Sequence, residues 1–447
     1  NSGSLTIGQP YWSPYRRRML YPNKRCSENI QYHTPASPLS DGASAMLSDE
    51  KSQWFSNIKG DIPAGIVSSF AVIPEVIGFT IVAGVDPILG LYTSIAFLLI
   101  ISFLGGRPAM VSAGAGSMAV VAAPLIASHG LDYLFCAVFL AGVIQIILGL
   151  IGIGHLLKRI PKPIVTGFVD GLAAIILMSQ INSIANNTVE SSEGMFLMAF
   201  YIVLGIAVIL LFPRISKAVP STLVAIAVVT LTDLLIGSNG SIVMVSDLGD
   251  MSAGWPDISF PSLLTATHAL SAVLPTAVSL AFVGLLETSL TLKLVDSMTG
   301  TKGNNTRECI AQGIANTACG SVGAMPGCAM IGQAVTNVKS GGRGRMSTFV
   351  SGMMLAILIA YGSSVLGMIP LAALIAVMIY VSFVTFDWNG LKRMFSNRDG
   401  ESLRNSAVTI LTFVIILLTE NLAYGAAAGL LLMGLFRLFQ HHALNRT

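Results

Sequence analysis

The chain has 447 residues, of which 53% are hydrophobic and 11% are charged, and its mean hydropathy is +0.74. A typical soluble domain carries about 25% charged residues, so this composition excludes a water-soluble globular protein. The apolar runs are continuous and approach the roughly 20 residues that a helix needs to cross the hydrocarbon, whereas barrel strands alternate over about ten residues. The sequence therefore predicts an all-α polytopic protein of the lipid bilayer, for which we expect no nucleic-acid partner. The net charge of +3 says little about partners, because the charges are sorted by side.

The beginning of the chain differs in composition from the rest. Residues 1–60 are polar and rich in Ser, Pro, Tyr and Arg, and they contain no apolar run of the kind found in a signal peptide. The stretch from Met46 has the character of a natural start just before the first membrane segment. We expect residues 1–45 to be a disordered tail or to lie upstream of the real start, and residues 61–440 to form the membrane domain.

Fourteen apolar segments follow, numbered here as spans 1 to 14. They lie near 62–83, 87–105, 109–127, 133–155, 163–182, 194–212, 219–237, 269–292, 308–322, 325–338, 346–364, 366–385, 404–420 and 422–439. Spans 3, 9 and 10 are short or interrupted. The stretch from Ser238 to His268 separates two halves of seven spans each.

Lysine and arginine are sorted between the two sides of this predicted domain. Cytoplasmic loops are enriched in these residues, and here the loops after even-numbered spans hold them while the loops after odd-numbered spans hold none. The loop cations are Arg107, Lys158, Arg159, Lys162, Arg214, Lys217, Lys293, Lys302, Arg307, Lys339, Arg343, Arg345, Lys392, Arg393, Arg398 and Arg404. We predict a multi-pass protein of the inner (plasma) membrane of the cell, with both termini in the cytoplasm.

Two spans in opposite halves are broken in the same way. Span 3 contains Val111-Ser-Ala-Gly-Ala-Gly-Ser-Met-Ala-Val120, and span 10 contains Gly323-Ala-Met-Pro-Gly-Cys-Ala-Met330. Because seven is odd, the two halves enter the membrane from opposite sides and form a 7+7 inverted repeat, in which paired breaks indicate a substrate site at the bilayer midplane. The alternative for these segments is close helix packing by small residues.

Half-helices that begin at the breaks would point their N-terminal ends into the membrane centre. Each such end carries about half a positive charge, and two of them with free N–H groups form an anion site without any Lys or Arg. Gln333, one turn further along span 10, can donate a hydrogen bond to an oxyanion. The predicted substrate-binding residues are Gly116, Ser117, Met118, Gly327, Cys328, Ala329, Met330 and Gln333.

Two carboxyl groups lie inside equivalent spans of the repeat. Glu75 follows the kinking residue Pro74 in span 1, and Glu287 lies in span 8. An acid within the membrane is a site candidate by default, because it can bind and release H⁺ or hold Na⁺ with other oxygen ligands. Thr291, one turn after Glu287 on the same face, is a candidate Na⁺ ligand. The alternative for both acids is a structural hydrogen bond between helices.

The remaining ionisable residues show no catalytic pattern. We assign Asp170 in span 5 to a structural or gating role, and Asp233 and Glu420 near span ends to solvated positions. The histidines and cysteines lack zinc-ligand spacing, and the chain contains no P-loop pattern. We therefore expect neither enzyme activity nor a cofactor.

Several motifs occur together in the membrane domain. They are Asp61-Ile-Pro-Ala-Gly-Ile, Ile73-Pro-Glu, Ala83-Gly-Val-Asp-Pro-Ile-Leu-Gly-Leu-Tyr92, the span 3 Ser-x-Gly region, Glu287 and Asn337-Val-Lys-Ser-Gly-Gly342. With these motifs, the chain resembles the SulP anion transporters, known in animals as the solute carrier 26 family, over roughly residues 60–440.

The resemblance implies two domains and a mode of transport. The core would comprise spans 1–4 and 8–11, about 61–155 and 269–364. The gate would comprise spans 5–7 and 12–14, about 162–237 and 366–440. It also implies homodimers, an elevator-like motion, and substrates such as sulfate, bicarbonate, chloride or dicarboxylates.

The chain departs from the family pattern at four points. The usual Gly-Pro after the span 3 break reads Gly116-Ser117, and Gln333 stands where many members carry Arg. Glu75 replaces the Gln that often follows the span 1 Pro, which favours proton coupling. Members usually end in a cytoplasmic STAS domain, whereas here only a short tail, residues 441–447, follows span 14, so that domain is either naturally absent or removed.

These observations predict a secondary active symporter that couples a small inorganic or carboxylate anion to H⁺ or Na⁺. The first alternative is a nucleobase carrier of the same architecture, which would use acids on spans 8 and 10, although span 10 here has none. The second is an uncoupled anion channel, and the third is a membrane scaffold without transport.

Overall fold

The computed structural model describes residues 50–157, 160–187, 192–216, 219–237, 240–249, 267–396 and 400–444. Fourteen helices correspond to the fourteen predicted spans and are numbered accordingly. They are α1 Ile58–Ala83, α2 Pro87–Leu104, α3 Gly116–His129, α4 Leu131–Leu150, α5 Lys162–Asn187, α6 Ser192–Leu211, α7 Ser221–Ile236, α8 Thr267–Thr299, α9 Asn305–Ser321, α10 Ile331–Lys339, α11 Arg345–Gly367, α12 Leu371–Thr385, α13 Gly400–Thr419 and α14 Leu422–Leu444.

The helix lengths confirm the prediction that spans 3 and 10 are short. Within the described ranges, eight of the helices are long and apolar enough to cross a membrane, and four shorter ones are apolar over 10–17 residues. The other two are α9 and α10, which lie in the segments predicted to be short. Helix α10 has only 9 residues, and its partner α3 has 14. The equivalent third segments of the two halves are therefore half-helices, as predicted.

Each half-helix is preceded by a short strand that the sequence did not predict. Strand β1, Ser112–Gly114, pairs antiparallel with β2, Gly327–Ala329, with Ala113 opposite Cys328. Three residues expected at the start of the second half-helix, Gly327, Cys328 and Ala329, thus belong to β2, and Met330 caps a helix that begins at Ile331. The prediction was wrong here because the two broken segments satisfy their backbone groups by pairing with each other.

Small residues are required where the two breaks cross. A Cβ atom on Gly327 would lie 2.6 Å from the Ala113 carbonyl oxygen and 2.7 Å from the Phe97 ring. A Cβ atom on Gly116, the first residue of α3, would lie 2.6 Å from the Phe79 ring. The glycines therefore allow the strands to approach each other and allow α1 to pack against the start of α3.

A buried amide holds β2 in place. The Asn316 side chain on α9 donates to the Gly327 carbonyl at 3.1 Å and accepts from the Gly327 N–H at 3.0 Å. It also donates to Gln145 Oε1 on α4 at 2.8 Å. Since Asn316 and Gln145 are fully buried, these bonds form in a low-dielectric setting, where polar networks are strong when they are satisfied.

The helices pack in two groups. The most extensive contacts within the first group are those of α4 with α9 and α8, and of α11 with α1 and α2. In the second group, α5 packs on α12, α13 and α14, and α6 packs on α7 and α12. We call α1–α4 with α8–α11 the core group and α5–α7 with α12–α14 the gate group. The groups meet where α1 contacts α12, α7 and α5, where α8 contacts α14, and where α3 contacts α5 and α14. The assignment of moving and static domains stays a prediction.

The loops after even-numbered helices form one end of the molecule, called here the basic side. Arg345 is buried there and donates to the carbonyl groups of Ser102 and Gly105 at the end of α2. Arg107 is also buried and pairs with Asp296 at 3.1 Å. Burial lowers the pKa of Arg107, and the charges of Asp296 and Glu308 oppose this effect.

Part of the predicted N-terminal tail is ordered against the basic side. Residues 50–55 are helical, and the Trp54 ring lies 5.0 Å from the Phe103 ring and 5.9 Å from the Phe349 ring. Arg345 also donates to the Gln53 side chain at 2.9 Å. The membrane domain therefore includes residues before position 61, and the predicted tail at 1–45 lies outside the described residues.

Candidate functional site

A cavity of about 650 Å³ lies between the core group and the gate group. Helices α1, α3, α8 and α10 line it from the core, and α5, α7 and α12 line it from the gate. Its ionisable and polar lining residues include Glu75, Ser117, Glu287, Gln333, Thr336, Lys339, Ser340, Ser221, Thr222, Tyr380 and Thr385. The cavity extends to the basic side, where α10 ends and α7 begins, and its inner end lies at the start of the two half-helices.

The N-terminal ends of both half-helices face this cavity. The first backbone bond of α3 runs from the Ala119 N–H to the Ala115 carbonyl at 2.9 Å, and that of α10 from the Ala334 N–H to the Met330 carbonyl at 3.0 Å. The N–H groups before these bonds have no acceptor within their own helix. Gly116 and Gln333, which carry two of them, line the cavity. The pairing of β1 with β2 brings the two positive helix ends together.

Gln333 provides a further hydrogen-bond donor at this place. Its side chain is only 1% exposed and lines the cavity, and its amide nitrogen has no hydrogen-bond partner of acceptable geometry among the described residues. The side chain lies close enough to Glu75 to act on that carboxyl group. An oxygen of a ligand in the cavity could accept a hydrogen bond from this amide.

The Glu287 carboxyl group connects α8 to both breaks. Its Oε2 atom accepts hydrogen bonds from the Ser117 hydroxyl and from the Cys328 thiol, the latter at 3.2 Å. Glu75, in the middle of α1 directly after Pro74, lines the same cavity. The structure thus brings the two predicted acids to the cavity that contains the helix ends.

Several of the predicted site residues lie behind the cavity wall. Among the described lining residues, Met118, Thr291, Gly327, Cys328 and Ala329 do not occur. The Thr291 hydroxyl donates to the Glu287 carbonyl at 2.9 Å and approaches the Ala329 carbonyl at 3.3 Å. It therefore links α8 to β2, and the geometry gives no support to Thr291 as a Na⁺ ligand beside the Glu287 carboxylate.

Helix α10 has a polar face that was not predicted from the sequence. Thr336 and Ser340 follow Gln333 by one and two turns and also line the cavity, as does Lys339. Spacings of three and four residues place side chains on one face of a helix, so this polar face was recognisable once α10 was known to continue to Lys339. Lys339, predicted as a loop cation, is the last residue of α10.

The other acids also have defined places. Asp170 accepts a hydrogen bond from the Asp387 N–H at 2.7 Å, which joins α5 to the loop after α12, in line with the structural role expected for it. Asp233 was expected to be solvated, and this was wrong. It is 4% exposed and accepts a hydrogen bond from the Tyr201 hydroxyl at 3.0 Å, because α6 packs against α7 along this face.

A helical membrane protein with paired half-helices and a cavity at their ends has the form of a secondary transporter. Comparison with known proteins gives the particular family. Residues 58–407 match the sulfate permease family, and the chain belongs to that family, whose resemblance the sequence motifs indicated.

Individual relatives agree with this assignment. The chain is 45% identical to the putative sulfate transporter YbaR of Bacillus subtilis over 387 residues, which cover 86% of this chain and 78% of the relative. Among solved structures, the transmembrane domain of a cyanobacterial bicarbonate transporter, BicA, matches with a TM-score of 0.72 and 25% identity, covering 83% of this chain and 98% of that one. The murine anion transporter Slc26a9 matches with a TM-score of 0.76 and 17% identity, and the match covers 95% of this chain and 77% of that one.

These comparisons confirm the predicted family and membrane fold. The relatives are named as transporters, which agrees with the expectation that the chain is not an enzyme. Membership of the sulfate permease family favours the anion transporter over the nucleobase carrier.

Proposed function

We propose that this protein is a secondary active transporter of a small oxyanion, of the sulfate or bicarbonate class, which binds between the N-terminal ends of α3 and α10. The observation that carries the proposal is the buried amide of Gln333, which lies beside Glu75 and two helix N-termini at the inner end of one cavity. The amide and the helix ends are donors, and none is a fixed cation. Such a site attracts an anion and still allows it to leave.

The names of the relatives support the substrate class. YbaR is named as a putative sulfate transporter and BicA as a bicarbonate transporter. Sulfate and bicarbonate both present several oxygen acceptors to converging N–H donors. The cavity, at about 650 Å³, is far larger than either ion, so most of it would be a water-filled vestibule.

Two carboxyl groups beside an anion site point to coupling with a cation. An ionised Glu287 or Glu75 would repel an anion, and a proton bound to either acid removes that repulsion. We infer proton symport, with Glu287 as the coupling residue and Glu75 as a second proton-binding group. Na⁺ is the less favoured ion because the hydroxyl of Thr291 is engaged with backbone carbonyls.

The proposed function is tested by transport into liposomes that contain the purified protein. Uptake of labelled sulfate, bicarbonate and fumarate is measured with and without an inward H⁺ or Na⁺ gradient. We expect saturable uptake of sulfate or bicarbonate that an inward H⁺ gradient accelerates. Uptake that does not saturate and ignores both gradients would instead identify an anion channel, and uptake of none of the three anions would contradict the proposal.

The Glu287→Gln variant tests the coupling residue. It keeps the size of the side chain but cannot exchange a proton, so we expect loss of gradient-driven uptake in a protein that still folds. The control is Glu193→Gln, which changes an exposed acid at the start of α6 and should behave as wild type. Unchanged gradient-driven uptake by Glu287→Gln would remove Glu287 from the mechanism.

The arrangement in the membrane is also a proposal. The charge sorting favours both termini in the cytoplasm, and the family resemblance favours a homodimer and an elevator-type movement of the core group. An impermeant maleimide added to intact cells should label His129→Cys on the external side but not Ser56→Cys on the basic side. The homodimer predicts a protein mass of two 46.9-kDa chains in nanodiscs.

A further inference from the structure

The Glu287 carboxyl group receives hydrogen bonds from both broken segments. Its Oε2 atom accepts from the Ser117 hydroxyl in the first turn of α3 and from the Cys328 thiol in β2. The Ser117 oxygen and the Cys328 sulfur are themselves 3.8 Å apart, and both side chains are fully buried. Three groups from α8, α3 and β2 therefore meet at one carboxylate oxygen.

The two donors differ in what else they can reach. Ser117 and Glu287 line the cavity, whereas Cys328 is absent from the described lining residues. Cys328 therefore contacts Glu287 and Ser117 from behind the described cavity lining. Ser117 lies between the carboxyl group and the space where the half-helices would hold an anion.

A serine hydroxyl has one hydrogen to donate and lone pairs to accept. While Glu287 is ionised, its carboxylate accepts a hydrogen bond from the Ser117 hydroxyl. The Ser117 oxygen then presents only lone pairs to the cavity. When Glu287 holds a proton, its own O–H can donate to the Ser117 oxygen. The Ser117 hydrogen is then free to turn towards an anion.

We propose that Ser117 is the positioning residue that couples the proton to the anion, by donating its single hydrogen either to ionised Glu287 or to the bound substrate. This inference rests on the proposed function and specifies how that site couples. A proton from cavity water binds to Glu287 Oε2, that O–H donates to Ser117 Oγ, and the Ser117 O–H turns to an anion oxygen. Release of the anion and return of the proton to water reverse these steps, so no atom or charge is left over.

The charges around Glu287 are consistent with such a switch. The other ionisable groups among the described lining residues are Glu75 on α1, Tyr380 on α12 and Lys339 at the exposed end of α10. The thiol of Cys328 faces Glu287 from β2. Lys339 lies two turns beyond Gln333, towards the basic side. No lysine or arginine of the described lining thus stands at the inner end, where a proton on Glu287 would offset the charge of the anion.

The test counts protons taken up when an anion binds. Detergent-solubilised full-length protein is titrated with sulfate, and separately with bicarbonate, in buffers of different ionisation enthalpy. We expect wild type and Ser117→Thr, which keeps a hydroxyl, to take up about one proton per bound anion. The Ser117→Ala variant should bind the anion while taking up close to zero protons per anion.

Cys328→Ala is the matched comparison. It removes the other donor to Glu287 and leaves the Ser117 hydroxyl in place, so we expect the proton count of wild type whatever its effect on affinity. Ser117→Pro removes the same hydroxyl by a residue that is tolerated in the first turn of a helix. It should give a count near zero and serves where Ser117→Ala does not yield folded protein.

Each outcome separates this inference from the proposed function. Equal loss of the proton count in Ser117→Ala and Cys328→Ala would show that Ser117 only holds the carboxyl group, and would overturn the switch. The switch would also be overturned if Ser117→Ala took up as many protons per anion as the wild-type protein does. The same holds if the wild-type protein bound the anion without taking up protons, and in both cases the anion site itself would stand. Wild-type protein that binds neither anion would contradict the proposed function itself.

Discussion

The side chain of Gln333 affects how tightly the proposed site holds an anion. It is neutral and buried, it lies beside Glu75, and the family resemblance implies that many SulP members carry arginine at this place. A fixed cation would hold an anion more tightly, whereas an amide adds direction without net charge. The side chain therefore suits a carrier that must release its substrate in every cycle.

The Gln333→Ala variant should weaken anion binding by about 10- to 100-fold, since a hydrogen bond to a charged group contributes roughly 1.5–3 kcal/mol. The measurement is the Kd for sulfate and bicarbonate. Gln180→Ala is the control, because Gln180 on α5 is equally buried with an unpartnered amide nitrogen but does not occur among the described cavity-lining residues. Equal affinity in wild type and Gln333→Ala would move the anion away from α10.

At the scale of elements, the crossing of β1 and β2 sets the geometry of the site. It fixes where α3 and α10 begin, and Asn316 and Thr291 tie β2 to α9 and α8. The crossing depends on a close approach at Gly327, where a Cβ atom would press on the backbone of β1. Backbone atoms cannot move aside as the end of a flexible side chain can.

The Gly327→Ala variant should lower the free energy of unfolding by about 1–3 kcal/mol through overpacking, and should also lower uptake. Gly362→Ala is the control, because nothing lies within 4 Å of a Cβ atom there, and alanine favours the interior of helix α11. The measurement is Tm in detergent together with uptake. A Tm for Gly327→Ala as high as that of Gly362→Ala would contradict the close packing of the crossing.

The sequence predicted more of the fold than of the site's detail. The breaks at 111–120 and 323–330 were visible because glycine and proline interrupt apolar runs, and loop charges fixed the number of spans. The strands were not predictable from local pattern, since three-residue strands pair with partners in the other half of the chain. The turn of the Thr291 hydroxyl towards backbone carbonyls likewise depends on how α8 packs on β2, which one sequence does not specify.

For the whole molecule, the cavity opens on one side and is closed on the other. It reaches the basic side between α10, α7 and α12, and the charge rule assigns that side to the cytoplasm. Beyond Glu75 on α1, Gly78 packs directly on Met378 of α12. This contact joins the core group to the gate group on the far side of the site, so under the proposed orientation the cavity faces the cytoplasm.

The Gly78→Cys/Met378→Cys variant should therefore cross-link and arrest transport. A Cβ atom on Gly78 would lie 2.6 Å from Met378 Cγ, an atom close to where a cysteine sulfur at position 378 would lie, so the two introduced side chains would be in contact. Uptake should fall on oxidation and return with a reductant. The control pair is Gly352→Cys/Leu98→Cys, which joins α11 to α2 inside the core group at a Cβ–Cβ distance of 3.0 Å and should leave transport intact when oxidised. Continued transport by both oxidised proteins would argue against relative movement of the two groups.

The most direct test of the central claim is a structure of the protein in nanodiscs with saturating sulfate, compared with the same preparation without it. We expect added density at the inner end of the cavity, within hydrogen-bond distance of Ser117 and Gln333, and its loss in Ser117→Leu, whose larger side chain would fill that space. Sulfate density at another place, or density unaffected by Ser117→Leu, would contradict an anion site between the half-helices.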